Sequence, residues 1–153
     1  DPIEEGPSFE LFTRETFALA KSALSKDGIL VLQAGPQSPS EMHIHVRLIN
    51  TLQAVFDNVV SYGSAVPTYA TSWGFALASD QELNTTPDVA AVDALLNDQV
   101  EGGLDALKMF DGRTLLGLLQ TPKHIRDAID AETEVYTRGA PPRFFGSGVA
   151  AGR

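Results

Sequence analysis

Between Leu11 and Gly28 the apolar residues Phe17, Ala20 and Leu24 recur three and four residues apart, the spacing of a helix with one buried face. Thr13 can cap this helix, Glu15 falls in its first turn, and Gly28 closes it just after Lys26 and Asp27. The run ILVLQ (29–33) follows at once. It is continuously apolar and of strand length, which predicts a strand buried on both faces, as in a parallel α/β sheet.

In the next segment, AGPQSPSE, Ser38, Pro39 and Glu41 form a capping box with proline at the first helical position. The predicted helix runs over 39–56, with Met42, Val46, Ile49 and Phe56 on one face. Two strands follow, 59–67 and 73–79, so closely joined that they predict an antiparallel pair at a sheet edge. Helix, strand, helix, strand, strand is half of a doubly wound α/β fold, with its first half absent. Beyond a polar linker at 81–87, residues 88–100 read as a helix capped by Asp88, and 121–130 as a short helix opened by Thr121 and Pro122. The stretch EGGLDALKMF reads equally well either way, and the Gly/Pro/Ala-rich tail is expected to fray after Phe145. The organisation expected is residues 1–80 as the C-terminal half of a Rossmann-like catalytic domain and 81–153 as an extension of the same domain.

Composition narrows the classes of function. The chain has 153 residues, 43% apolar and 20% charged, within one domain's range and able to bury a real core. With 20 Asp and Glu against 11 Lys and Arg the net charge is −9, the wrong sign for a nucleic-acid surface. The acidity suits a cationic ligand, and equally suits plain solubility. The absence of cysteine excludes disulfides and thiolate metal sites and fits a reducing, cytoplasmic setting. No apolar run approaches the ~20 residues of a membrane span, and no signal-peptide pattern opens the chain.

In an open α/β sheet, ligands bind beyond the carboxyl ends of the strands. Asp1, Gln33, Tyr69 and Trp73 would meet there. An acid, an amide, a phenol and an indole suit an extended amine: the carboxylate holds an ammonium or takes its proton, and aromatic faces line the methylenes and attract cations. Each residue also has a plain structural reading: a free terminus, a loop anchor, a turn aromatic, a core indole. His43 and His45, two residues apart on a helix, face different sides and cannot share a metal; both read as exposed or partly packed helix residues, and His124 stands alone. No metal site is expected. Neither GGLDALK nor the terminal GSGVAAG lies between a strand and a helix, so neither reads as a phosphate loop.

The segments DPIEEGPSFELFTRETF, VLQAGP, VFDNVVSYGSAVPTYATSWGFALAS and DAETEVYTRGAPPRFFGSG resemble the polyamine aminopropyltransferase (spermidine synthase) family. The QAGP turn and the ETEVYT…RFFG tail most resemble its plant-type thermospermine synthase branch. The resemblance implies a Rossmann-like, methyltransferase-type fold and an aminopropyl transfer from decarboxylated S-adenosylmethionine, a co-substrate, with no cofactor or metal needed. The acceptor would be spermidine and the products thermospermine and 5′-methylthioadenosine. It further implies that Asp1 matches the second aspartate of a D-x-x-D-P pair that holds and deprotonates the amine. Gln33 and Tyr69 match amine-site positions, and Trp73 matches a residue lining the amine channel. The nucleoside loop and the first aspartate have no counterpart here. The chain is therefore expected to be a C-terminal fragment, inactive by itself, of a protein that is a homodimer at full length. The alternatives are a spermidine or spermine synthase, a non-catalytic polyamine-binding module, and half of an ordinary methyltransferase.

Overall fold

The computed structural model describes residues 7–69, 71–142, 144–145 and 149–150. Two compact units divide the chain: Asp1–Leu83 with Thr121–Arg153, and Asn84–Gln120.

In the first unit, the β-rich runs form β1 (Leu30–Pro36), β2 (Asn58–Val66) and β3 (Thr71–Ser79). They make an antiparallel sheet in the order β1-β3-β2. The expected antiparallel pair is β2 and β3, joined through a 3-10 turn at Pro67–Tyr69. Side chains alternate between faces along each strand. Leu30 and Leu32, opposite Ala78 and Ala76, point into the core with Val59. Val31 is 56% exposed and Gln33 is exposed as well. Burial of β1 on both faces is thus not what is found, because the helix laid on this sheet contacts the side occupied by Leu32, Ala76 and Ala78. β1 also runs three residues beyond the expected end, and its register with β3 shifts between Gln33 and Gly35. Gly35 sits at φ +92°, a conformation that L side chains rarely adopt, so the bend leading into Pro36 requires glycine.

Helix α1 (Arg14–Ala23) has Thr13 at its N-cap, but the Thr13 hydroxyl donates to the Glu10 carbonyl instead of receiving a helical N–H. The helix ends before Gly28, which closes a separate turn onto the Ser25 carbonyl. Helix α2 (His43–Gln53) starts later than expected. The Ser38 hydroxyl bonds the Glu41 carboxylate at 3.0 Å and residues 39–42 form turns. Ile44, His45, Val46, Leu48, Ile49, Thr51 and Leu52 are all buried, so α2 is enclosed on most sides, not on one face. It packs on the sheet, α1 packs against it, and α6 (Lys123–Ala131) adds Ile125 and Ile129 to the same core.

Residues 132–136 strap across α2. Arg47 pairs with Glu132 at 3.2 Å and Glu134 at 2.9 Å, Asn50 donates to the Glu134 carbonyl, and the Tyr136 N–H donates to the Thr51 hydroxyl at 2.9 Å. The Tyr136 carbonyl in turn accepts from the Arg14 N–H, tying α1 to the strap. Burial opposes the charge on Glu132, but N–H groups of Glu134 and Thr133 and the Arg47 guanidinium hold its carboxyl below the ordinary range. Farther on, β4 (Phe144–Phe145) and β5 (Val149–Ala150) pair antiparallel, where a frayed end is expected. Residues 146–148 and 151–153 lie outside the described residues.

The second unit holds α3 (Val89–Gln99), α4 (Gly103–Ala106) and α5 (Gly112–Leu118). Asp88 caps α3 as expected, accepting from the Ala91 N–H at 2.7 Å, and Asp111 caps α5 through Thr114 N–H at 2.7 Å. Helix α5 has no counterpart in the sequence reading. Its apolar pattern, RTLLGL, is too short to separate from a strand or a loop. A cavity of about 450 Å³ lies beside Asp93, Leu107, Lys108 and Asp111, and holds none of the expected site residues. No helix among the described residues is long and apolar enough to cross a membrane.

Leu52 is fully buried in the core shared by sheet and helices. Leu52→Ala is expected to lower the unfolding free energy by about 2–5 kcal/mol, read from the urea midpoint at unchanged m-value.

Candidate active site

Strands β1 and β2 run in the same direction, so their carboxyl ends lie at one end of the sheet, where β3 begins. Pro36 and Ser64 both lie opposite Trp73. Gln33 lies opposite Phe75, and Phe75 lies opposite Tyr62. By alternation, Gln33, Tyr62, Phe75 and Trp73 share the face turned away from α2. The Tyr62 and Phe75 rings stack at 5.2 Å between centroids. At the tip, the Tyr69 ring lies 4.2 Å from the Trp73 ring, tilted by 40°. Tyr69 is 41% exposed, whereas Trp73 is buried. The Trp73 Nε1–H meets no acceptor among the described residues, an orphaned donor that costs roughly 1–3 kcal/mol.

The structure thus brings three of the four expected residues to one end and one face of the sheet. Gln33 reaches it from β1, Tyr69 from the turn, and Trp73 from β3. Asp1 lies outside the described residues. The aromatic pair of Tyr62 and Phe75, level with Gln33 across the strands, was not singled out from the sequence, although period-two alternation in VVSYGSAV and SWGFALAS carries it.

Behind this face lies a buried polar cluster that sequence reasoning missed. His45 is wholly buried, not an exposed or partly packed helix residue as expected, while His43 beside it is exposed. The ring of His45 reaches the Ala34 carbonyl through Nδ1 at 3.2 Å and the Ser61 hydroxyl through Nε2 at 2.8 Å. A carbonyl can only accept, so Nδ1 carries the proton and Nε2 presents a lone pair. That lone pair also faces the Gln37 amide Nε2 at 3.3 Å, which reaches the Tyr62 carbonyl at 3.3 Å. The Gln37 Oε1 accepts from the Ser72 hydroxyl at 3.2 Å. Room for both side chains comes from Gly63 and Gly74, directly opposite each other in the β2–β3 ladder. A Cβ on Gly63 would stand 2.0 Å from Gln37 Oε1, and one on Gly74 would stand 2.2 Å from His45 Nδ1. The signal available in the sequence was these two glycines within strand patterns, which mark a close approach by another group.

The sequence profile of the spermine/spermidine synthase domain matches residues 1–88. The chain belongs to the spermine/spermidine synthase family. Polyamine aminopropyltransferases of two Synechococcus strains are 46% and 44% identical to it over 143 residues, which is 94% of this chain and 46% of each relative. A thermospermine synthase of Arabidopsis thaliana is 33% identical over 152 residues, 98% of this chain and 43% of that protein. The chain therefore spans about half the length of these relatives. A spermidine synthase of Thermotoga maritima superposes with a TM-score of 0.65 over 83% of this chain and 41% of its own, at 18% identity. A spermidine synthase in complex with the transition-state analogue AdoDATO gives 0.64 over 80% and 39%, also at 18% identity. These superpositions establish an α/β fold shared with part of the spermidine synthases.

Burial pushes the His45 imidazole down to about 4 from 6.5, with the Ala34 carbonyl opposing. Between those values the unfolded chain binds a proton that the folded one refuses. Stability is therefore fully present above pH ~6.5 and falls as pH drops toward ~4, by an amount on the order of 3 kcal/mol. His43, lowered by partial burial and then by Arg47, with Glu41 opposing, acts in the same direction. The urea midpoint of wild type should fall between pH 7 and 5, and His45→Gln should fall less steeply; equal slopes would refute the assignment.

The two glycines should also differ. Gly74→Ala meets a buried ring and is expected to cost about 1–3 kcal/mol, more than Gly63→Ala, whose neighbour is the far end of a side chain. Thermal melting of the two variants measures the order.

Proposed function

We propose that this chain supplies the amine side of a polyamine aminopropyltransferase, and that the whole protein converts spermidine to thermospermine. In the reaction, an unprotonated amine nitrogen attacks the aminopropyl carbon bonded to the sulfonium of decarboxylated S-adenosylmethionine. The C–N bond forms as the C–S bond breaks, its electron pair passes to sulfur, and 5′-methylthioadenosine leaves as a neutral thioether. The nitrogen is left as a secondary ammonium, and the one proton released overall is the one removed before attack. An alkylammonium near pKa ~10 has no lone pair at neutral pH, so a carboxylate must take a proton before attack. In this reading Asp1, the second acid of the pair, helps hold and deprotonate the amine, with Gln33 and Tyr69 also holding it and Trp73 lining its channel.

The observation that carries the reading is the Tyr69–Trp73 pair at the carboxyl end of the sheet, in a chain whose residues 1–88 match the spermine/spermidine synthase domain. Aromatic faces attract cations and cover methylene chains. The net charge of −9 draws polyamines electrostatically. The edge position of β1 and the exposure of Val31 on it, 56%, fit a doubly wound sheet continued by further strands and layers of the whole protein. Residues 81–153 extend the same domain, and the full-length protein is a homodimer in this reading.

A second reading keeps the chemistry and changes the acceptor to a diamine or to the other end of spermidine. The two Synechococcus relatives, named only for polyamine aminopropyl transfer and more similar than the thermospermine synthase, favour it. Chromatography of products from the full-length protein, given spermidine and decarboxylated S-adenosylmethionine, separates the two. Thermospermine is expected; symmetric spermine alone, or transfer only to a diamine, would replace the first reading with the second. No transfer to any amine would overturn both. Asp1→Asn should lower kcat by about 10²–10⁴, and Tyr69→Phe should mainly raise the amine KM.

A further inference from the structure

Trp73 is flanked in β3 by Ser72 and Gly74, and both neighbours are held by the buried cluster. The Gln37 N–H donates to the Ser72 carbonyl at 3.0 Å, and the Ser72 hydroxyl donates to Gln37 Oε1 at 3.2 Å. On the other side, the His45 ring lies where a Cβ on Gly74 would be, 2.2 Å from Nδ1. The same two side chains grip β2 opposite, His45 through the Ser61 hydroxyl and Gln37 through the Tyr62 carbonyl. Gln37 stands just beyond β1 and His45 on α2. Three strands and one helix therefore meet at a single polar plug seated in the notch left by Gly63 and Gly74.

We propose that Gln37 and His45 are positioning residues that set the orientation of Trp73, and with it the Tyr69–Trp73 geometry of the amine site. Neither reaches the substrate-facing side, since both lie on the α2 side of the sheet and act through the backbone on either side of Trp73. A core that needed only volume would fill this notch with a methyl or isopropyl group and leave no buried polar atoms to satisfy. The plug instead spends directional bonds, Nδ1–H to Ala34, and Ser61 and Gln37 donating to Nε2, each tolerating one orientation of its partner. A binding residue misplaced by about 1 Å can cost up to ~10²-fold, so orientation is what such bonds would protect. The inference rests on the amine-site reading above.

The test uses the full-length protein labelled with 5-fluorotryptophan, the Trp73 resonance being assigned by Trp73→Phe. Gln37→Met keeps the volume and removes the bonds, His45→Leu removes the ring, and His45→Gln retains a polar group able to meet Ser61. In Gln37→Met and His45→Leu the fluorine resonance of Trp73 should shift and the amine KM rise about tenfold. The kcat and the KM for decarboxylated S-adenosylmethionine should stay within about twofold, and His45→Gln should recover part of the loss. If His45→Leu does not fold, Gln37→Met and Ser72→Ala, which leave α2 untouched, carry the same test. Folded variants with an unmoved resonance overturn the proposal. So does a shifted resonance with an unchanged amine KM, or an equal rise in both KM values. If wild type transfers no aminopropyl group, the functional reading fails by itself; the resonance still decides whether the plug orients Trp73.

Discussion

Helix α2 approaches the sheet so closely that one position of β3 has no space for a side chain. A Cβ on Gly74 would overlap the His45 ring and stand 3.0 Å from the Gly35 carbonyl. This close approach sets where β1 must end, because Gly35 lies opposite Gly74 and turns through a positive φ before Pro36 and Gln37. It also sets the face on which the rest is built. Leu30, Leu32, Ala76 and Ala78 meet α2, and Gln33, Tyr62, Phe75 and Trp73 are left on the other side. The small residues of β3 (Gly74, Ala76, Ala78) let the helix lie down, and Leu48, Ile49 and Leu52 then lose nearly all contact with water.

On the outer side of α2 the logic is polar. Arg47 meets Glu132 and Glu134, and the Thr51 hydroxyl accepts from the Tyr136 N–H while donating to the Arg47 carbonyl. Exposed ion pairs contribute little each. The backbone bonds at Thr51, Asn50 and Arg14 fix the path of 132–136 over the helix. The segment ETEVYT, which bears part of the family resemblance, thus works as a strap on the core, remote from the Tyr69–Trp73 tip.

Family membership follows from a domain match over more than half the chain, and an α/β fold shared with part of the spermidine synthases follows from superposition. The relatives named for aminopropyl transfer or thermospermine synthesis are about twice this length. What the structure adds is a physical reason for the motif set: QAGP bends the chain at Gly35 so that Gln37 can enter the notch, and PTY(x3)W turns two aromatic rings against each other.

Much of the local order could be read without coordinates, because its causes are local. An apolar run located β1, helical spacing located α1 and α2, capping and start signals located α3 and α6, and the closeness of 59–67 to 73–79 predicted the antiparallel pairing of β2 and β3. The same reasoning misjudged what depends on neighbours remote in sequence. The start of α2 moved because the Ser38 hydroxyl bonds a carboxylate, and α5 was too short to carry a periodic signal. β1 proved covered on one face, since coverage depends on what packs there and not on the strand's own hydrophobicity. His45 is the plainest case: on a helix surface in isolation it is an ordinary polar residue. Only the meeting of α2 with two glycines far along the chain, Gly63 eighteen and Gly74 twenty-nine residues beyond His45, makes it a buried, uncharged acceptor.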